Sequence, residues 1–551
     1  MKGSFDVAVV GSGFAGTLLA IICRRLGRSV VLVERGAHPR FAIGESSSPL
    51  ANLILEELCD RYGLSRIRPL SAWGSWQRRY PQIACGLKRG FTFCAHRPGR
   101  LFAADPERAD QLLVAASPND EVADTHWYRA DFDAFLVGEA QSEGVEYLDR
   151  TRLDTVRASA AGFELAGERA GRVVSLTARF VADASGPAGF LHRTLALPWS
   201  GFPDLPATAG FYTHFEGVHR LSELGVFEPR EEPPYPADDA AVHHVFPGGW
   251  IWVLRFNNGI TSAGVSATPA LAEELDLAEG APAWERLLAR LPTVERQFSG
   301  ARPVLPFVYR ASLPFRSRLA GGGGWALLPS AAAFVDPLLS TGFPLTLLGL
   351  TRLAEAIETA WGTADFARKV NAHASRTLRE ADAAALLVAA LLTSLADFPL
   401  FAALSKLYFA AASFSEATRR LSRDRPPGSF LCADHPVFGP AFETCCRLAL
   451  QRHTGGDRTP AQRKDLLRQL ARAIEPLDVA GLGDPSRRNW HPVLADDLLA
   501  GADKLSATRA EIERLLERSG FYGLTREVQR DSAPRACGGS GERRRGLSPS
   551  G

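Results

Sequence analysis

Neither sign of charge predominates in this sequence: lysine and arginine number 63 against 61 for aspartate and glutamate, a formal net charge of +2. That balance removes the broad field by which a nucleic-acid or anionic-membrane binder draws its partner, so no nucleic acid is expected. Cysteine is sparse. The eight present (Cys23, Cys59, Cys85, Cys94, Cys432, Cys445, Cys446, Cys537) form no CxxC pair, and Cys445 and Cys446 are adjacent, so no metal site is expected. No cationic-then-apolar leader is visible, because the first apolar run, Val7 to Val10, passes straight into a glycine turn. Both features suit a reducing cytoplasm. Long apolar runs are also missing. The charge-free apolar run Ala383 to Ala396 has 14 residues, short of the roughly 20 that span a bilayer. It reads as a buried or partner-facing helix, and no membrane span is expected. No internal repeat is present.

What remains is the composition of a large folded protein, 551 residues with 46% hydrophobic and 23% charged, enough for two or three packed subdomains. The opening reads strand, turn, helix, strand: Phe5 to Val10, Gly11-Ser12-Gly13-Phe14-Ala15-Gly16, a helix stopped by Gly27, then Ser29 to Val33 and Glu34. Glycines at 11, 13 and 16 let the backbone close on a diphosphate held at a helix N-terminus, and Glu34 stands where an acid accepts from a ribose hydroxyl. The fingerprint alone leaves FAD and NAD both open. Further on, a helix is expected between Glu45 and Leu64, helical periodicity at Tyr128 to Leu136, and a strand ending in a turn over Phe180 to Gly186. Strand signals fall at Ala241 to Val245, Trp250 to Phe256 and Thr261 to Val265. Beyond residue 351 helical patterns dominate, broken at Arg425-Pro426-Pro427-Gly428, and the segment from Arg526 is poor in apolar residues and expected to be disordered.

Five segments carry a resemblance. Glu34 through Ser46, Tyr128-Arg129 through Leu136, Ala182-Asp183-Ala184-Ser185-Gly186, Gly249-Trp250-Ile251-Trp252, and Phe334-Val335-Asp336-Pro337-Leu338-Leu339-Ser340-Thr341-Gly342 occur in the order found in flavin-dependent halogenases. The chain resembles that family over roughly residues 5 to 370, and the tetracycline- and phenol-type branch most. The resemblance implies an α/β fold: a glutathione-reductase-like Rossmann FAD domain (1–65, 125–200 and 311–370), a sheet-based substrate domain (66–124 and 201–310), a C-terminal helical region (371–525) and a disordered tail (526–551). It implies contact with FAD by Gly11, Gly13, Phe14, Ala15, Gly16, Glu34, Arg40, Glu45, Ser46, Arg129, Asp183, Ser330, Asp336, Pro337 and Gly342.

In that family reduced FAD, supplied by a separate flavin reductase, and O₂ oxidise chloride or bromide to hypohalous acid, and a lysine passes the halogen to an electron-rich aromatic, free or carrier-tethered. The matching lysine is Lys88, ahead of Phe91-Thr92-Phe93. Thr341 and Gly342 match the halide-holding turn, whose successive N–H groups suit an anion. Trp250 and Trp252 match the bulky pair that keeps substrate off the flavin, although Val253-Leu254-Arg255 follows them where relatives carry Ile-Pro. Leu328-Pro329-Ser330 replaces a common Gly-Asp, leaving Ser330 as the polar group there. A flavin reductase or hydroxylase on the same scaffold, or a catalytically silent flavin-binding protein, are the other readings these residues leave open.

Overall fold

The computed structural model describes residues 2–160, 162–225, 232–421, 428–455 and 459–523. The expected disordered tail, Cys537 and residues 425–427 of the break lie outside the described residues.

The strand Lys2–Val10 is apolar at Val7 to Val10 and lies at the centre of a sheet, where Phe14–Arg25 crosses over and returns the chain to Val30–Val33, parallel in the register Val7↔Val30 to Val10↔Val33. This is the right-handed unit that β-branched runs around a glycine turn favour. The parallel order runs Trp325–Leu327, Arg172–Asp183, Lys2–Val10, Val30–Val33, Glu146–Leu148, with an antiparallel flap, Thr151–Ser159 and Gly162–Arg169, added on the long Arg172–Asp183 strand. Nothing in the sequence reading marked that flap. Gly11 has φ +104, and a Cβ on Gly16 would stand 2.0 Å from the Gly11 carbonyl oxygen, so the turn closes only with glycine at both positions. The helix expected from Glu45 begins later. Ser48 caps Pro49–Tyr62 by accepting from the Ala51 N–H, and Gly63 at φ +67 ends it. Glu45 and Ser46 are therefore loop residues.

A second sheet of nine strands is built from Ala209–Glu216, Ile260–Ala267, Gly249–Arg255, Ala241–Phe246, Gly90–Ala95 and Gln111–Ala115, with short edge strands. Its alternation gives it two dry faces. Ile251, Val253 and Val265 point into a core completed by the helices Pro269–Glu274, Ala281–Ala289 and Pro292–Gln297, while Trp250, Trp252, Phe91 and Phe93 point into the large core shared with the Rossmann sheet and the C-terminal helices. His243 and His244 split in the same way, the first stacked on Phe93 at 4.3 Å and the second bonded to His96 and Gln297.

Two expected boundaries fall inside elements: 124/125 cuts the strand Asp124–Trp127, and 370/371 cuts the helix Asp365–Leu392. The C-terminal region is not purely helical either, since Trp490–His491 pairs in parallel with Gln111–Ala115 and adds an edge to the second sheet. Of residues 383–392, all but the half-buried Ala383 and Leu386 lie buried within the helix Asp365–Leu392, as expected. Among the described residues one helix, Phe398–Leu421, is long and apolar enough to cross a membrane. Lys406 interrupts its apolar run, and its Leu400, Phe401, Leu404 and Leu407 are packed in the shared core.

Gly16→Ala drives a methyl group into the Gly11 carbonyl. It is expected to destabilise the protein by at least the roughly 1–3 kcal/mol of an overpacked core, read as a lowered thermal midpoint with little FAD retained.

Candidate functional site

The helix Phe14–Arg25 begins with no side-chain cap and no acidic residue in its first turn. Its leading N–H groups therefore lack protein partners and carry the positive end of the helix dipole, the arrangement that receives a diphosphate. An added Cβ on Gly13 would meet only Arg129 Nη2, at 3.4 Å, so its open side is free for a ligand backed by a cation. Arg129 is 7% exposed and heavily constrained. It makes a bidentate pair with Asp133 at 2.6 and 2.8 Å, donates to the Gly44 carbonyl at 2.9 Å and lies 5.0 Å from the Phe14 ring centre. Glu34 closes the other end. Burial pushes its carboxyl up, but the Gly36 N–H, the Arg40 charge and the Ser12 N–H and hydroxyl outweigh that and hold it below the ordinary glutamate value. It is thus an anion beside the turn, with Arg40 at 3.4 Å.

Two expected cofactor contacts are occupied otherwise. Asp183 has no exposed surface; its carboxylate accepts from Ser185 N and Oγ and from Leu191 N, fixing the turn after its strand. Asp336 accepts from Thr208 Oγ1, Ser266 Oγ, Trp250 Nε1 and its own Leu338 N–H, so it ties the loop 336–342 to the second sheet. In both cases a buried acid must find donors, and the surrounding backbone and hydroxyls supply them. Ser330 and Pro337 are half-buried, Ser330 on the short helix Pro329–Ala332.

The loop then takes an unusual path. Leu339 and Ser340 have φ of 64° and 54°, left-handed values that non-glycine residues seldom adopt, before the 19-residue helix Gly342–Ala360 begins. Thr341 caps that helix without a side-chain bond, its first turn has no acid, and Gly342 is exposed with nothing within 4 Å of an added Cβ. A second uncapped helix start, faced by open space, stands at the halide turn named from the sequence.

Lys88 lies at the end of Cys85–Lys88 with no exposed surface. Its Nζ donates to Ser46 Oγ at 2.8 Å, to the Ser47 carbonyl, and to Ser340 Oγ at 3.5 Å, while Ser340 Oγ donates to Ser46 Oγ at 3.1 Å. The Phe91 ring centre is 3.9 Å from Nζ. Burial lowers the Lys88 pKa to about 7, against the opposing charge of Asp124. Lys88 therefore meets both expected cofactor loops, one through Ser46 and the other through Ser340. Glu45, next in that segment, accepts from His214 Nε2 at 2.7 Å, and its Oε2 is buried without a partner. Trp250 and Trp252 share one sheet face with ring centres 5.7 Å apart, Trp252 against Tyr212.

Beside Phe91 opens a cavity of about 160 Å³, walled by Gly90–Ala95 and Gln111–Ala115 on one side and by Tyr408, Glu416, Arg420 and Leu516 of the C-terminal helices on the other. No motif announced these four residues. The sequence signal available was only that the C-terminal helices carry polar residues at helical spacing beside apolar ones.

Residues 6–333 match the family described as FAD dependent oxidoreductase, more than half of the chain. The chain belongs to the FAD-dependent oxidoreductases. This oxidoreductase is 28% identical over 462 residues to the monodechloroaminopyrrolnitrin halogenase PrnC of Pseudomonas fluorescens, covering 80% of this chain and 79% of that protein. It is 31% identical over 373 residues to the tetracycline 7-halogenase of Kitasatospora aureofaciens, 66% of this chain and 65% of that one. Among solved structures, the halogenase PltM in complex with phloroglucinol and FAD superposes with a TM-score of 0.78 at 24% identity, over 88% of this chain and 99% of that one. These relatives place it among the flavin-dependent halogenases, with FAD as its cofactor, and the uncapped turn at Gly13, the clamped Arg129 and the anionic Glu34 fit that group.

Arg129→Leu leaves Asp133 buried without its cation. It is expected to cost about 3–5 kcal/mol in denaturant unfolding of the FAD-free protein and to weaken FAD binding in a flavin fluorescence titration.

Proposed function

We propose that this flavoprotein halogenates a free, single-ring, electron-rich aromatic of phenolic type, with Lys88 as its catalytic residue. The observation that carries the reading is the amine of Lys88, dry and bonded to Ser46 and Ser340 at once. Bound reduced FAD, with O₂, supplies the oxidising power that turns chloride or bromide into hypohalous acid. The chain's own residues do the rest. The N–H groups of Thr341 and Gly342 hold the halide, and Trp250 and Trp252 fill the space through which a substrate would otherwise reach the cofactor. The serine hydroxyls hold the Lys88 Nζ at the end of that passage, and its lowered pKa leaves a large fraction of neutral, nucleophilic amine near pH 7.

The size of the cavity supports the substrate class: about 160 Å³ compares with the roughly 150 Å³ that accepts benzene. Two relatives at 24% identity are named as halogenases of carrier-bound pyrroles. Here the walling of the cavity by C-terminal helices favours a free substrate. A separate flavin reductase delivers reduced FAD. A reducing cytoplasm suits the seven free cysteines, all buried, among the described residues.

The deciding experiment combines protein, FAD, a flavin reductase, NADH, O₂ and bromide with a panel of phenols, and reads the bromine isotope doublet by mass spectrometry. Lys88→Ala is expected to lower brominated product at least a hundredfold with the flavin spectrum unchanged; hydroxylated or reduced product from the wild type would overturn the reading. In the wild type the rate of halogenation is expected to fall as pH drops below about 7, because protonation removes the amine lone pair.

A further inference from the structure

Asp124 lies directly opposite Lys88 in the antiparallel pair formed by Cys85–Lys88 and Asp124–Trp127, and directly paired residues project to the same face. Its exposure is 4%. Asn52 Nδ2 donates to Oδ1 at 3.1 Å, whereas Oδ2 is buried with no hydrogen-bond partner. Lys88 closes no ion pair with it, because Nζ is turned to Ser46, Ser47 and Ser340. An acid with one idle, dry oxygen thus faces a fully buried base.

We propose that Asp124 is the positioning residue of Lys88, a carboxyl that shares one proton with the amine and so decides when the amine is free to take up halogen. This rests on the halogenation reading above. The surroundings leave that proton to the pair. His126 and His243, the other titratable groups near Lys88, are held well below the ordinary histidine value by burial first and by the Lys88 charge second, so both are neutral. On the helix Phe398–Leu421, Glu416 and Arg420 act on Asp124 with opposite signs and pair with each other at 2.9 Å, and Tyr408 stays protonated through burial. Burial moves the Asp124 carboxyl up and the Lys88 amine down, and each charge resists the other's shift.

With the proton on Asp124, the neutral nitrogen attacks the halogen of hypohalous acid. The N–X bond forms as the O–X bond breaks, and the departing hydroxide leaves as water with the proton that the nitrogen gives up. Transfer of the halogen to a ring carbon, with the ring proton returned to nitrogen, restores the amine. No further oxidant is needed.

The test compares holoproteins of wild type, Asp124→Asn and Asp124→Glu in the bromination assay across the pH range. Asp124→Asn removes the negative charge that favours the ammonium, so the acid limb of the rate is expected to move down by about one pH unit or more. Its maximal rate is expected to fall about tenfold as the proton holder is lost, at unchanged FAD content and unchanged flavin oxidation. Asp124→Glu is expected to return the limb toward its wild-type position. An acid limb that stays in place in Asp124→Asn overturns the proposal.

Should Asp124→Asn fail to fold, hypobromous acid added without turnover to wild type and to Asp124→Ser decides the matter, read as bromine on the Lys88 peptide against pH. A labelling midpoint at lower pH in Asp124→Ser than in wild type supports it, and an unchanged midpoint overturns it. That readout needs neither flavin turnover nor substrate, so it separates this proposal from the halogenase reading itself.

Discussion

A lysine amine without exposed surface has lost its water, and the protein replaces that water with two hydroxyls, a carbonyl and an aromatic face. The exchange determines much of what surrounds it. The serines must come from two loops remote in sequence, so both loops have to be immobile. Ser47 N and Oγ both donate to the Thr125 carbonyl, tying the first loop to the strand that carries Asp124. Asp336 ties the second to three positions on the other sheet. Each anchor is a hydrogen bond made by a group too deeply buried to find solvent instead, so slack in either loop would leave polar atoms unpaired.

The same reasoning explains the strained backbone at Leu339 and Ser340. The chain must bring the Ser340 hydroxyl toward Lys88 and still start a helix two residues later, and the left-handed path does both. The cost of that path is met by the packing of Leu338 and Leu339 in the large shared core, where neither is exposed.

The parts of this molecule readable in the sequence are those whose physics is local. The glycine turn, the flanking strands and Glu34 lie within one supersecondary unit, so spacing alone conveyed the geometry. Lys88 and the Ser340-Thr341-Gly342 turn were found by resemblance, yet their meeting across 252 residues is a property of the folded sheets. Asp183 and Asp336 sit inside recognisable motifs, and a motif does not say which protein donors a buried acid also gathers. Asp124 was passed over because its relation to Lys88 is one of strand register, which no run of residue types displays. The antiparallel flap and the edge strand Trp490–His491 were missed for a similar reason, being short or half-exposed stretches whose pairing partners define them.

The cavity has a divided origin. Its floor, with Phe91, belongs to the strand that follows the lysine, while its roof comes from helices encoded after residue 398 and linked to the floor by packing rather than by the ladder that holds Lys88. On the proposed reading, the reactive end and the shape-reading end of the molecule therefore lie on separate stretches of chain. On that reading, recutting the roof at Leu516 alters which molecules fit and leaves the Lys88 ladder as it is, whereas a change at Glu416 also reaches Asp124 and so the amine itself.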